Sequence, residues 1–254
     1  MGQCCDSKQA YTDNDAENVI IEAYSSLKIH FLDLEDFDFE FRKQVKISLL
    51  DIDDNKWYDD EIYDSVVDNL IINSSVDKDN TTEQKLCLVK FDSKSKDMHF
   101  QFLLNILPVF KHNLTEQISI IYGVVQSYYK VVNFDCFAKF LNRYLFINLI
   151  CVTENFALSS KIYNDSVIKG QYHNLISKIF NRDNYDDFSN ELLNSMKKIL
   201  MKSNPLLKAN NLSLEFIRKP HFKIFFERNN HLIGIVELRN FFFNKYCYKS
   251  TIVD

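Results

Sequence analysis

Of 254 residues, only four are glycine and three are proline. That scarcity constrains the fold more than any other feature of the chain. Tight turns draw on Gly for positive φ and on Pro for a pre-set φ. A β-sandwich or barrel needs such a turn about every 8–12 residues. The chain cannot supply them, so the expected class is all-α, with helices joined by short polar connectors. Gly2, Gly123, Gly170 and Gly234 each stand alone. No glycine-rich loop is therefore available to cradle a phosphate, which excludes a P-loop or a dinucleotide fingerprint.

The most specific motif lies at the start, Met1-Gly2-Gln3-Cys4-Cys5-Asp6-Ser7. Removal of Met1 exposes the Gly2 amine to myristoylation. Asp6 stands where the usual pattern has Ser or Thr, and Ser7 follows it. One myristoyl chain binds a bilayer only marginally, with an association constant of about 10⁴ M⁻¹. A second signal is needed, and the acidic residues that follow cannot act as a polybasic patch. Cys4 and Cys5 can, as palmitoylated thiols. Residues 1–15 accordingly read as an acylated flexible tether. Residues 16–254 read as a helical body, with a division into two lobes near 155–165. The expected location is the cytoplasmic face of a membrane.

Charge is unevenly spread. Between Thr12 and Asp64 there are 16 acidic and 5 basic residues, and from Ser65 onward 18 acidic and 24 basic. The lysines of the basic part are scattered along the chain, the pattern of solvated helix faces, so no nucleic-acid partner is expected. The six cysteines form no CxxC pair, and the four interior ones sit mostly in apolar runs, as buried free thiols do. No unbroken apolar run approaches the roughly 20 residues that span a bilayer, so no transmembrane helix is expected.

Apolar spacing at i, i+3, i+4 and i+7 predicts helices over Ala16–Leu32, Glu61–Ile72, Met98–Phe110, Thr115–Tyr129, Asp135–Cys151, Val167–Phe180 and Phe188–Met201. Asp135–Cys151 is apolar almost all round and should be central. Polar connectors are expected at 73–80, 164–166, 181–187 and 203–211. The segment from Leu212 to Leu238 reads as two helices, although Leu212, Leu214 and Phe216 also alternate as a strand would.

Four places share a local pattern: Met98–Leu103, Val132–Leu141, Leu212–Ile217 and Gly234–Phe241. Each sets an apolar residue, a short polar step and an apolar helix start. Met98 and Val132 lie 34 positions apart, which suits two paired helix-loop-helix units linked by a short two-stranded contact. Calcium needs about 6–8 oxygens, supplied in such loops by positions 1, 3, 5, 7 and 9 and a bidentate Glu at 12. Cys136 falls where that Glu should be, and Lys94 and Lys96 would repel a cation. The best candidate loop lies upstream, where Asp51, Asp53 and Asn55 alternate and Glu61 follows. There Lys56 replaces the turn glycine, and Glu61 falls one residue early.

These units resemble the EF-hand superfamily in degenerate form. The N-terminus and Asn204-Pro205-Leu206-Leu207-Lys208 are similar to calcineurin B-like proteins, and the acylation to neuronal calcium sensors. Phe102–Val152 resembles the EF-like N-terminal region of myristoylated TLDc proteins. The resemblance implies helix-loop-helix pairs that offer a groove to a partner's amphipathic helix.

No catalytic motif is present. His30, His99, His112, His173, His221 and His231 form no HExxH or other spaced pair, and there is no GxSxG or kinase signature. The reading is a lipid-anchored, non-catalytic adaptor without a cofactor. The alternative is a calcium sensor that uses the loop at 51–61.

Overall fold

The computed structural model describes residues 13–26, 114–159, 166–205, 213 and 215–247. Of these, 88% are helical, and none lies in a strand longer than a single bridge. The helices are α1 (Asp13–Ser26), α2 (Leu114–Tyr129), α3 (Phe134–Leu145), α4 (Val152–Ser159), α5 (Ser166–Ile179), α6 (Arg182–Ser203), α7 (Lys219–Arg228) and α8 (Ile235–Phe242). The all-α class expected from the scarcity of turn residues is what the described residues adopt.

The ends of these helices follow from their sequences. At α3, Asn133 caps the helix by accepting a hydrogen bond from the Cys136 N–H at 2.8 Å, and Asp135 lies in the first turn. Pro220 sits within the first turn of α7, where the missing N–H costs nothing. Phe134, Phe137, Phe140, Leu141, Tyr144 and Leu145 of α3 are all buried, which is the helical stripe the spacing predicts.

Helix α3 does not stop at Leu145. A π-helical turn, Phe146–Cys151, carries it into α4, so one helix of 25 residues runs from Phe134 to Leu158. By length and composition it is long and apolar enough to cross a bilayer, contrary to the reading from unbroken runs. The reason is arithmetic: single polar residues such as Asn142 and Asn148 interrupt a run but barely lower an average. In the fold, 61% of its most apolar window is buried against other helices, so it forms the core.

Two expected boundaries change. The polar stretch 181–187, expected to be a connector, is mostly the first turns of α6, which begins at Arg182. Helix α1 already includes Asp13 to Asp15, inside the stretch read as tether. The expected helices 61–72 and 98–110 lie outside the described residues.

Packing is dominated by two aromatic groups. Phe137, Phe222 and Phe225 meet edge to face, with centroids 5.0–5.5 Å apart, and join α3 to α7. Phe188 of α6 meets Phe241 and Phe242 of α8 at 5.9 and 5.4 Å. Tyr144 connects the groups, since its buried hydroxyl donates to the Leu232 carbonyl. Fully burying each phenyl ring stabilises the fold by roughly 1.5–3 kcal/mol.

Candidate functional site

The most structured non-helical feature is a crossing of two loops. Between α2 and α3 the chain turns through Lys130, whose φ of 62° is the one positive value among the described non-glycine residues. The Lys130 N–H donates to the Gln126 carbonyl at 2.8 Å, the Val131 N–H to the Tyr129 carbonyl at 2.6 Å, and Asn133 is extended. Before α7, Phe216 and Ile217 also run extended. Asn133 and Phe216 form an isolated antiparallel bridge, and the Ile217 N–H donates to the Val132 carbonyl at 2.8 Å. Side chains alternate across this crossing, as the pleat requires. Val132 and Ile217 point into the core, while Val131 and Phe216 are exposed.

The crossing fixes how four helices pack. Helix α2 lies against α7, and α3 against α6. Two of the four units singled out in the sequence, those at Val132 and Leu212–Ile217, are therefore brought together. Met98, the partner expected for Val132, lies outside the described residues.

Each loop hands its chain to a helix in a related way. Asn133 caps α3 through its side chain. At α7, the Arg218 N–H donates to His221 Nδ1 at 3.2 Å, and the His221 N–H donates back to the Arg218 carbonyl at 2.9 Å. Burial and the neighbouring Arg218 charge push the His221 imidazole below its ordinary pKa, which keeps Nδ1 available as an acceptor.

Toward the other end of α3, an open groove of about 470 Å³ lies between α3 and α6. Tyr185 closes its base by donating to the Asn142 carbonyl at 2.9 Å, and Ser189 donates to Asn142 Oδ1 at 2.6 Å. Phe146 and Leu193 form its apolar part, and Phe146 is 42% exposed.

Behind the π-turn lies a buried ionic knot. Arg239 of α8 is wholly buried and uses all five guanidinium donors. Two go to the Glu17 carboxylate at 2.7 Å each, and one to Thr153 Oγ1 at 2.9 Å. The last two go to the Asn148 and Leu149 carbonyls at 2.6 and 3.1 Å. Asn148 and Leu149 both belong to the π-turn, a local widening of the helix that often marks such contacts. Burial pushes the Glu17 carboxyl up, and the facing guanidinium opposes it.

The remaining titratable groups serve packing. The His231 ring stacks on Phe241 at 3.7 Å, and burial pushes its pKa down to about 4. Burial likewise raises the Cys151 and Cys247 thiols to about 12, so neither is a ready thiolate. Among the described residues, no group of three or more His, Cys, Asp or Glu side chains could hold a metal ion. The expected sites, Gly2, Cys4 and Cys5 for acylation and Asp51, Asp53, Asn55 and Glu61 for calcium, all lie outside the described residues.

The chain matches no protein-family model, no curated protein and no solved structure.

Proposed function

We propose that the protein is a lipid-anchored adaptor without catalytic activity, held at a cytoplasmic membrane face and binding a helix of a partner protein. The anchor rests on Gly2, Cys4 and Cys5. The adaptor reading rests above all on the crossed loops, which support descent from an EF-hand pair that has lost its metal. Counted from the apolar bridging residue at position 8, Val132, the turn position 6 is Lys130 and position 12 is Cys136. Positions 1, 3 and 5 become Val125, Ser127 and Tyr129. All three are wound into α2, and Val125 is wholly buried. Such a loop supplies neither the oxygens nor the open turn that calcium needs, yet it keeps the helix pairing. The groove at Phe146 and Leu193 offers a partner helix an apolar seat.

Fractionation in about 0.5 M salt, which screens surface charge but leaves acyl chains in place, tests the anchor. Wild-type protein is expected in the membrane pellet and Gly2→Ala in the supernatant. A Gly2→Ala protein that stays in the pellet removes the anchor from the account.

The calcium-sensor reading keeps one supporting observation, the alternation of Asp51, Asp53 and Asn55 before Glu61. Isothermal titration decides it. The adaptor reading expects no heat at millimolar calcium, whereas heat that vanishes in Asp51→Ala/Asp53→Ala would establish the sensor.

A further inference from the structure

The edge of the fold that carries the crossed loops has a composition that the adaptor reading does not use. Its two outermost apolar side chains, Val131 and Phe216, are 53% and 58% exposed. They sit on either side of the buried pair Val132 and Ile217. Lys130, Arg218 and Lys219 are their sequence neighbours across the antiparallel crossing, and all three are exposed. The last turns of α6 reach the same edge, because Lys197 Nζ lies 5.7 Å from the ring centroid of Phe134 at the start of α3. Lys198, next to Lys197, and Met201 and Lys202, one turn further on, are exposed, and no acidic residue follows Glu191 on that helix.

Electrostatics makes part of this arrangement costly on its own. Lysines at the end of α6 suit the negative pole of that helix. Arg218 and Lys219 do not, since they stand at the positive pole of α7, whose first turn contains no acid. None of the basic residues named here forms an ion pair with a described residue. Among the described residues, Asp135 and Glu215 are the acidic side chains nearest the crossing in sequence, against the basic Lys130, Lys197, Lys198, Lys202, Arg218 and Lys219. An anionic surface laid against it would relieve the misplaced charge, and exposed aliphatic and aromatic tips would enter the apolar layer beneath.

We propose that this edge is a second membrane contact, built by the fold and independent of acylation. Val131 and Phe216 enter the interface of an anionic bilayer, while Lys130, Lys198, Lys202, Arg218 and Lys219 meet lipid phosphates.

The test uses the full chain made without acylation, sedimented with vesicles of phosphatidylcholine alone or with about 30% phosphatidylserine. Binding is expected only to the anionic vesicles and is expected to fall steeply between about 0.1 and 0.5 M salt. Each basic residue removed should weaken partitioning about fivefold, so Arg218→Ala/Lys219→Ala should lose about 25-fold. Lys198→Ala/Lys202→Ala should lose the same. Both lysines are exposed on the last turns of α6 and Ala is a good helix former, so a circular-dichroism spectrum and melting curve like those of wild type are expected, which separates loss of binding from loss of fold. Phe216→Ser should weaken binding without changing its salt dependence. Absence of binding to anionic vesicles, or equal binding to neutral ones, overturns the proposal. Full binding by Phe216→Ser alongside loss in the charge variants also overturns it, and assigns the edge to a soluble polyanion. The acyl anchor plays no part in this experiment, so its own failure would leave the result unchanged.

Discussion

Arg239→Ala is expected to destabilise the protein by about 3–5 kcal/mol, enough to unfold a large fraction of it at 37 °C. The change removes a cation that neutralises Glu17 and satisfies Thr153 and the carbonyls of Asn148 and Leu149. Glu17 would be left buried and uncompensated. Glu17→Ala should fall in the same range, because it strands the guanidinium instead. The two losses should not add, since they break one network. A paired replacement by apolar residues of similar size, Glu17→Leu/Arg239→Met, should recover much of the stability, as buried ion pairs often exchange for hydrophobic contacts at little cost. Urea midpoints of the four proteins measure this directly. A double mutant no better than the worse single one would show that specific hydrogen bonds to the π-turn, and not charge neutralisation, hold α8 in place.

The second large effect is expected at Phe222, which is wholly buried at the centre of the first aromatic group. Its ring lies 5.2 Å from Tyr122, 5.5 Å from Phe137 and 5.8 Å from Phe226. It therefore joins α2, α3 and α7. Phe222→Ala should cost about 3–5 kcal/mol, the sum of lost transfer energy and a cavity that three helices cannot close without moving. Ile224→Ala is the matched comparison. That residue is two positions away on the exposed side of α7, and the change should fall within about 0.5 kcal/mol of wild type. Thermal unfolding of both distinguishes the buried stripe from the exposed one. Equal shifts would mean that α7 does not dock through Phe222.

The helical class was legible because few Gly and Pro residues and a 3.6-residue apolar period point the same way. The spans of α2, α3 and α5 differ by about one residue at their starts from those the spacing predicts. Both ends of α6 extend beyond the predicted span, because the apolar stripe marks only the buried face and polar turns continue the helix outside it. The crossing was legible only in part. Val132 was recognisable as an apolar residue before a helix start, but its partner was set by tertiary packing. Ile217, 85 positions on, is as good a match for that role by local pattern as Met98.

The ionic knot was the feature most completely hidden, although one signal was present. In α8, Ile235, Leu238, Arg239 and Phe242 occupy i, i+3, i+4 and i+7, so the arginine sits within the apolar stripe. In α1, Glu17 likewise sits beside Ala16 and Ile20, both buried. A charge inside a stripe predicts a buried counter-charge somewhere, but a sequence gives no distance between the two. The polarity of residues 9–17 favoured a tether, and the helix that carries Glu17 starts within it.

Glu17 and Arg239 stand 222 positions apart in the chain. At about 5–20 residues per second, a ribosome takes roughly 11–44 s to make the intervening stretch. Helix α5, against which α1 also packs, emerges well before Arg239, but until Arg239 is made the Glu17 carboxylate has no counter-charge to bury against. Closure of the ionic knot is thus deferred until α8 has emerged, and until then the long apolar segment from Phe134 to Leu158, which carries Asn148, Leu149 and Thr153, lacks the arginine that ties it to α1.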